Sequence, residues 1–214
     1  VPQLSPRSRV GYNVEAMARS DVQLMLDVKA GDDASFELLL RKYRSPLVNY
    51  LGRMVGNSAT AEDLAQEVFL RIYRARSQYA PSAKFTTWIF RIATNLALNA
   101  RRDGRYRQLE VSIQEGNYAE DGEPRVLQIP DGRPGAEQHL IARDRAALIR
   151  RAVEELPEKQ RAAVLLHKYE EMDYDQIAGI LNCSESALKS LLFRAYETLR
   201  VKLAPMVSGY SEQG

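Results

Sequence analysis

The sequence predicts an all-α protein made of two small helical bundles joined by a flexible linker, the second bundle containing a helix-turn-helix. Apolar residues recur at the 3.6-residue spacing of helices through most of the chain, while the alternation typical of strands is almost absent. A segment rich in glycine and proline interrupts this spacing near the middle. The length of 214 residues is sufficient for one large or two small hydrophobic cores.

The composition is that of a globular protein and indicates no particular ligand. A hydrophobic content of 45% and a charged content of 27% exclude wholesale disorder, and the net charge of +2 does not by itself suggest nucleic acid. The single cysteine, Cys183, excludes an internal disulfide, and no histidine spacing suggests a metal, so we expect no cofactor. No apolar run approaches the roughly 20 residues that span a bilayer. We therefore expect a cytoplasmic protein without direct membrane insertion.

The first bundle is predicted over residues 20–103, after a loose extension at 1–19. Ser20 and Asp32 have side chains suited to capping and mark the starts of two helices. Pro46 is expected to kink or divide the second of them. The helices of this bundle are predicted at 20–31, 32–55, 59–78 and 84–102.

A linker is predicted over residues 104–136, where five of the 12 glycines and three of the nine prolines lie. A loop of this length is unusual inside one compact domain, so the chain is expected to form two. The linker is expected to include a short extended piece at Val126–Ile129, and a second bundle at 137–204 precedes a tail at 205–214. Its helices are predicted at 137–155, 158–168, 174–181 and 185–203.

The predicted helix at 59–78 has an apolar face and an opposite face of mixed polarity. That second face is either an ordinary solvated surface or a protein-docking surface, because it places both charge signs around an outward leucine. A catalytic carboxylate pair is a weaker interpretation, since no histidine accompanies it. The face consists of Asp63, Gln66, Glu67, Leu70, Arg71 and Arg74.

The predicted helix at 84–102 has polar and aromatic side chains within about an 80° arc beside its apolar stripe. Basic side chains suit phosphates, asparagine suits base edges, and tryptophan suits stacking on an unpaired base. Between residues 84 and 109 there are six basic residues and one acidic residue. Alternatively, the tryptophan lies at the edge of the core and the arginines only maintain solubility. The charge segregation favours a nucleic-acid face, made of Lys84, Trp88, Arg91, Asn95, Asn99 and Arg102.

The helices at 174–181 and 185–203 are separated by the short break Asn182–Ser184, which suits a helix-turn-helix. In that motif the second helix enters the major groove, where short hydroxyl side chains permit close approach to base edges. Many helical hairpins share this spacing without binding DNA, so both interpretations stay open. The outward face of the second helix has Ser186, Lys189, Ser190, Phe193, Arg194, Glu197 and Arg200.

Four segments, in this order and spacing, resemble bacterial sigma factors of the extracytoplasmic-function (ECF) class. The resemblance covers about residues 20–103 and 137–203. It implies a dissociable subunit without catalytic residues of its own or a small-molecule substrate, whose first bundle binds core RNA polymerase and the promoter −10 element and whose second binds the −35 element. The segments are AEDLAQEVFLRIYRA (61–75), FTTWIFRIATNLALNARR (85–102), LPEKQRAAVLLHKYEEMDYDQIAGILNCS (156–184) and LKSLLFRAYETLR (188–200).

The resemblance also implies roles for individual residues and partners. The partners are the clamp helices of the largest polymerase subunit, the polymerase flap, promoter DNA and an anti-sigma factor, and the loop at about 78–83 is implied to take a flipped base. Polymerase binding is implied for Asp63, Gln66, Glu67, Leu70 and Arg71. Binding of the −10 element is implied for Lys84, Trp88, Arg91, Asn95, Asn99 and Arg102. Binding of the −35 element is implied for Ser184, Glu185, Ser186, Lys189, Ser190 and Arg194.

The sequence departs from the family pattern on the −35 helix, where Leu191 and Tyr196 stand at positions that are frequently arginine. Two other functions are alternatives. A helix-turn-helix regulator that acts without polymerase would be a dimer and would leave the Asp63–Arg74 face unexplained. A carboxylate-dependent enzyme using Glu62, Asp63 and Glu67 would lack metal ligands and a nucleophile.

Overall fold

The computed structural model describes residues 19–102 and 136–208, and for 136–142 and 206–208 it describes the backbone alone. Within these ranges the chain forms eight α-helices and one 3-10 turn, without strands, so the all-α prediction is confirmed. The predicted linker with Val126–Ile129, and nearly all of the 1–19 extension, lie outside the described residues. The helices are α1 (Asp21–Lys29), α2 (Asp33–Val55), α3 (Ser58–Ala75), α4 (Phe85–Arg102), α5 (Ala136–Glu154), α6 (Glu158–Lys168), α7 (Tyr174–Leu181) and α8 (Glu185–Ser208).

The helices of the first bundle begin at polar caps. The hydroxyl of Ser20 accepts the backbone N–H of Gln23, and the Asp32 carboxylate accepts that of Ala34. These contacts confirm the two predicted helix starts, because a capping oxygen satisfies an N–H that has no partner within the helix. Gly56, with φ at +79°, ends α2 in the left-handed conformation.

Two helices continue further than the sequence predicts. Of the two outcomes expected at Pro46, a kink or a division of the second helix, division does not occur, because α2 continues through Pro46 to Val55. Proline removes one N–H from the helix, but the buried side chains of Tyr43, Leu47 and Tyr50 on either side hold both halves of α2 against the core. Helix α8 likewise continues beyond the expected end at residue 203, through Pro205 to Ser208.

Packing within each half leaves the polar faces outward. Helix α2 packs against α1, α3 and α4, and α8 packs against α5, α6 and α7. The two halves also touch, since α7 lies against α4 and α6 lies against α2. Their buried residues, among them Leu47 and Met54 in the first half and Leu165 and Ile177 in the second, belong to one apolar cluster.

Candidate functional site

The outward face of α3 has the exposure that the helical spacing predicts. Asp63, Gln66 and Arg71 are exposed and Glu67 is half-buried, while Leu70 keeps 49% of its surface accessible. Arg71 donates from Nε to Oε1 of Glu67 at 2.7 Å. The face therefore offers both charge signs around an accessible leucine.

An apolar groove of about 660 Å³ lies between α2 and α3, directly beside this face. Leu70 and Gln66 belong both to the face and to the groove wall, and Arg44 and Glu62 add charges to its rim. Accessible apolar surface next to polar side chains is typical of a protein interface. Sequence spacing alone missed the groove, because α2 contributes half of it. Its apolar lining includes Phe36, Leu40, Val48, Phe69, Leu70 and Tyr73.

The charged and amide residues of the stripe, which begins at Lys84 just before α4, are exposed along its whole length. Helix α4 buries Phe85, Ile89, Ala93 and Leu96, which turns the stripe away from the first core. The exposed residues are Lys84, Arg91, Asn95, Asn99 and Arg102.

The position of Trp88 fits both interpretations of the sequence, a residue at the edge of the core and a surface on which a base can stack. Its ring is half-buried, with centroid distances of 5.2 Å to Tyr79 and 6.0 Å to Phe85. The carbonyl oxygen of Tyr79 accepts Nζ of Lys29 at 2.8 Å, which ties the loop after α3 to α1. The tryptophan thus rests on buried aromatic rings at the edge of the core and keeps part of its surface accessible.

A buried hydroxyl pair beneath α4 is a feature that the sequence analysis did not find. Thr94 donates to the carbonyl oxygen of Phe90 at 2.7 Å, so its only proton is used there. The Tyr50 hydroxyl, 2.7 Å away, therefore donates to Thr94, and the Tyr50 ring packs edge-on against Phe90. Burial raises the pKa of Tyr50. The pair fixes α4 on α2, and only the polarity of Thr94 on an otherwise apolar face could have indicated it.

Helices α7 and α8 have the predicted helix-turn-helix arrangement. Asp173 and Gln176 form a capping box at the start of α7, and Asn182 ends that helix with φ at +49°. Ser184 caps α8 by accepting the backbone N–H of Ala187 at 3.2 Å. One predicted −35 residue therefore has a structural role at the start of the helix.

The other predicted −35 side chains are exposed, and they bond within α8 itself. Glu185 pairs with Lys189 at 2.6 Å, and this hydrogen bond raises the pKa of Lys189. Ser190 donates to the carbonyl oxygen of Ser186, and Arg194 donates to that of Ser190, each at 3.1 Å. The exposed residues are Ser184, Glu185, Ser186, Lys189, Ser190 and Arg194.

The two departures from the family pattern, Leu191 and Tyr196, face partly inward. Leu191 is half-buried, and the Tyr196 hydroxyl is hydrogen-bonded to Nδ1 of His167 at 2.7 Å. Burial raises the pKa of Tyr196 and lowers that of His167. The side chain at 196 therefore joins α6 to α8.

Comparison with known proteins assigns the chain to a family. Residues 39–107 match the family described as Sigma-70 region 2, and residues 146–199 match Sigma-70, region 4. The RNA polymerase sigma-H factor of Pseudomonas aeruginosa is 30% identical over 190 residues, covering 87% of this chain and 95% of that relative. The ECF RNA polymerase sigma-E factor of Escherichia coli strain K12 is 29% identical, covering 88% and 96% respectively. The chain belongs to the ECF class of RNA polymerase sigma factors.

The ECF sigma factor is therefore a dissociable initiation factor that directs RNA polymerase to promoters. Sigma factors are non-enzymatic transcription factors, and the alternative of a regulator acting without core polymerase is not favoured. Within the described residues, no group of three histidine, cysteine or acidic side chains is arranged to hold a metal. No described helix is long and apolar enough to cross a membrane.

Two solved structures are similar in fold. One is described as CnrH in complex with the cytosolic domain of CnrY, with a TM-score of 0.63, 18% identity, and coverage of 87% of this chain and 99% of that one. The other is the sigma factor RpoE in complex with the anti-sigma factor NepR from Bartonella quintana, with a TM-score of 0.55, 20% identity, and coverage of 79% and 96%. At these identities the similarity concerns the fold.

Proposed function

We propose that the α3 face is the surface through which this sigma factor binds the clamp helices of core polymerase. The supporting observation is the position of the exposed Leu70 at the edge of the apolar groove, with charged side chains on both sides. An apolar centre with a charged rim suits docking of a protein helix. The residues assigned to this role are Asp63, Gln66, Glu67, Leu70 and Arg71.

The α4 face is the surface for the −10 element in this proposal. Its basic residues neutralise phosphates, its asparagines bond to base edges, and Trp88 stacks on a base that has left the duplex. Unpairing costs a few kcal/mol per base step, which stacking offsets in part. The residues assigned to this role are Lys84, Trp88, Arg91, Asn95, Asn99 and Arg102.

The α8 face is the surface for the −35 element. Ser186 and Ser190 are short enough to let the helix approach base edges, and Lys189 and Arg194 reach bases or phosphates. Glu185 accepts from base amino groups, and Ser184 fixes the start of the helix. We also assign binding of the polymerase flap to the second bundle, with no individual contact residues named.

Two tethered DNA-binding surfaces strengthen each other, since binding of one raises the effective concentration of the other. The sigma factor positions polymerase on the promoter and assists melting of the −10 DNA. It has no catalytic residue or small-molecule substrate of its own. Its place of action is the cytoplasm, where the polymerase is.

An anti-sigma factor is a further proposed partner. In the similar solved structure from Bartonella quintana, RpoE is in complex with the anti-sigma factor NepR. In this chain, an apolar groove beside the polymerase face offers a position where such a protein would block Gln66 and Leu70. Binding there and binding of core polymerase are then mutually exclusive.

The α3 assignment is tested by run-off transcription and by direct binding to core polymerase. The double substitution Glu67→Ala and Arg71→Ala is expected to weaken core binding about tenfold or more, because it removes both charges beside Leu70. A matched control is Glu37→Ala with Arg41→Ala, an exposed pair with the same spacing on α2 that lies outside the groove. Equal effects of the two double substitutions would contradict the assignment.

A further inference from the structure

The segment that joins α3 to α4 is held by a side chain of α1. It begins with the 3-10 turn Arg76–Gln78, continues through Tyr79, and ends at Lys84, directly before α4. Nζ of Lys29, in the last turn of α1, donates to the carbonyl oxygen of Tyr79 at 2.8 Å. Helix α1 also packs against the 3-10 turn. The bond joins residues 50 positions apart, so it fixes the segment to an element that is distant in the sequence.

Tyr79 is also one of the two rings on which Trp88 rests. It is 6% exposed, and its ring centroid lies 5.2 Å from that of Trp88, with 40° between the ring planes. Its hydroxyl is buried and has no hydrogen-bond partner among the described residues, so the hydroxyl does not hold the ring. The backbone of Tyr79 is held on both sides, because its N–H donates to the carbonyl oxygen of Arg76 at 3.2 Å and its own carbonyl oxygen accepts from Lys29.

The second ring under Trp88, that of Phe85, is fixed in a different way. Phe85 belongs to α4 itself, and its ring lies 6.0 Å from Trp88 and 5.3 Å from Tyr43 of α2. It therefore stays beneath Trp88 through the packing of α4 on α2. Tyr79 lies between helices and has no helix of its own to place it. The bond from Lys29 is thus the contact on which the position of Tyr79 depends most.

We propose that Lys29 is a positioning residue for promoter melting, which holds Tyr79 and through it sets the ring of Trp88 before an unpaired base arrives. This inference rests on the proposed function, since it assumes that Trp88 stacks on a base that has left the duplex. A ring that is already in place loses little further freedom when the base binds. Without the bond, only a fraction of molecules presents Trp88 correctly, and the equilibrium for open-complex formation falls by that fraction.

The first readout is the fluorescence of Trp88 in the free full-length chain, in which it is the only tryptophan. Lys29→Met keeps an apolar side chain of similar length and removes the ammonium donor. It is expected to increase quenching of Trp88 by acrylamide and to lower its fluorescence anisotropy, because the ring beneath it is less firmly held. Lys29→Arg keeps a charged donor and is expected to restore the wild-type values. Thermal melting by circular dichroism verifies that each variant folds.

The second readout is the open complex with core polymerase. Lys29→Met is expected to lower the permanganate reactivity of unpaired thymines in the −10 element about two- to tenfold, the size of one hydrogen bond. Its binding of the closed duplex is expected to keep the wild-type dependence on salt concentration. Arg19→Met is the matched control, because Arg19 is also a cation bonded to α1, at 3.2 Å from Asp27. It is expected to leave both quenching and thymine reactivity unchanged.

Three outcomes would overturn the positioning role of Lys29. The first is wild-type quenching of Trp88 in Lys29→Met, and the second is an equal change in Lys29→Met and Arg19→Met. The third is a salt dependence of duplex binding that is shallower by about 0.9 in Lys29→Met, which would assign Lys29 to a DNA phosphate. Trp88→Ala separates this inference from the proposed function. Unchanged thymine reactivity in Trp88→Ala would contradict the function itself, whereas a loss there without a loss in Lys29→Met would reject only the role of Lys29.

Discussion

The two candidate DNA surfaces are built differently, although both are faces of single helices. On α4, the tryptophan rests on Tyr79 and Phe85, and a buried pair of hydroxyls from Tyr50 and Thr94 fixes the helix beneath. On α8, the polar side chains bond to one another and to the carbonyls of their own helix. The α4 surface is held by side chains of other elements that pack beneath the helix. The α8 surface is held by bonds within its own helix.

This difference matches two different tasks. Holding a base outside the duplex requires an aromatic surface whose position is fixed before the base arrives. Reading bases inside an intact major groove requires side chains that exchange their bonds within the helix for bonds to the DNA. We therefore expect substitutions in the layer under α4 to affect melting and stability, and substitutions on α8 to affect affinity for the duplex.

The largest effect is expected for Trp88→Ala. Loss of one base–aromatic stack costs about 1–3 kcal/mol, or roughly 5- to 150-fold in the equilibrium for open-complex formation. Permanganate footprinting of unpaired thymines, with core polymerase present, measures this loss. Binding of the closed duplex by the same variant is expected to change much less.

Trp88→Leu separates stacking from packing. Leucine keeps an apolar contact with Tyr79 and Phe85 but offers no ring to a base. It is expected to melt at nearly the wild-type temperature and still lose thymine reactivity. Wild-type reactivity in Trp88→Leu would assign Trp88 to the core and abolish the contrast between the two surfaces.

The next effect in size is expected for Thr94→Val, which keeps the shape of the side chain and removes its hydroxyl. The buried Tyr50 hydroxyl then loses its acceptor, at a cost of about 1–3 kcal/mol in the free energy of unfolding. Urea denaturation measures the loss. Adding Tyr50→Phe to the same chain is expected to recover part of it, because no unpaired hydroxyl then remains. A double variant that is no more stable than Thr94→Val would indicate that the hydroxyl pair does not support α4.

The helices and exposed faces could be predicted from sequence because both depend on spacing along one helix. Asp63 and Leu70, or Asn95 and Asn99, share a face whatever lies opposite. Contacts between helices could not be predicted in this way. The bond between Tyr196 and His167 joins residues 29 positions apart, and the groove beside Leu70 requires Phe36 and Leu40 from α2. Division of the helix at Pro46, one of the two outcomes expected there, does not occur, because the buried Tyr43 and Leu47 hold α2 against the core and local propensity does not include such contacts.

A smaller effect is expected for Leu191→Arg on α8, which places a cation at a position that is frequently arginine in the family. One added phosphate contact steepens the dependence of log K on log salt concentration by about 0.9. Titration of a −35 duplex with the full chain at several salt concentrations measures this slope. Leu191→Gln is the control, since it adds polarity without charge. An unchanged slope would show that position 191 faces away from the DNA and that the inward direction of Leu191 is retained in the complex.

The last prediction concerns the pH dependence of stability and Glu170, which lies after α6 near Arg53 and Tyr50 of α2. It tests whether the second bundle depends on the first. Burial raises its pKa to about 7 from an ordinary 4.5, while Arg53 acts in the opposite direction. The folded chain therefore holds this proton more tightly than the unfolded chain. The resulting stability is fully present below about pH 4.5, decreases as pH rises, and is lost above about pH 7.

Glu170→Gln keeps the side chain neutral, so it is expected to gain stability relative to the wild type at pH 8 and not at pH 4.5. The urea midpoints of the wild type and of Glu170→Gln at the two pH values measure this gain in stability. The contributions of the other carboxylates are the same in both chains and do not affect the difference. An equal difference at both pH values would show that Glu170 is solvated and that α2 does not bury it.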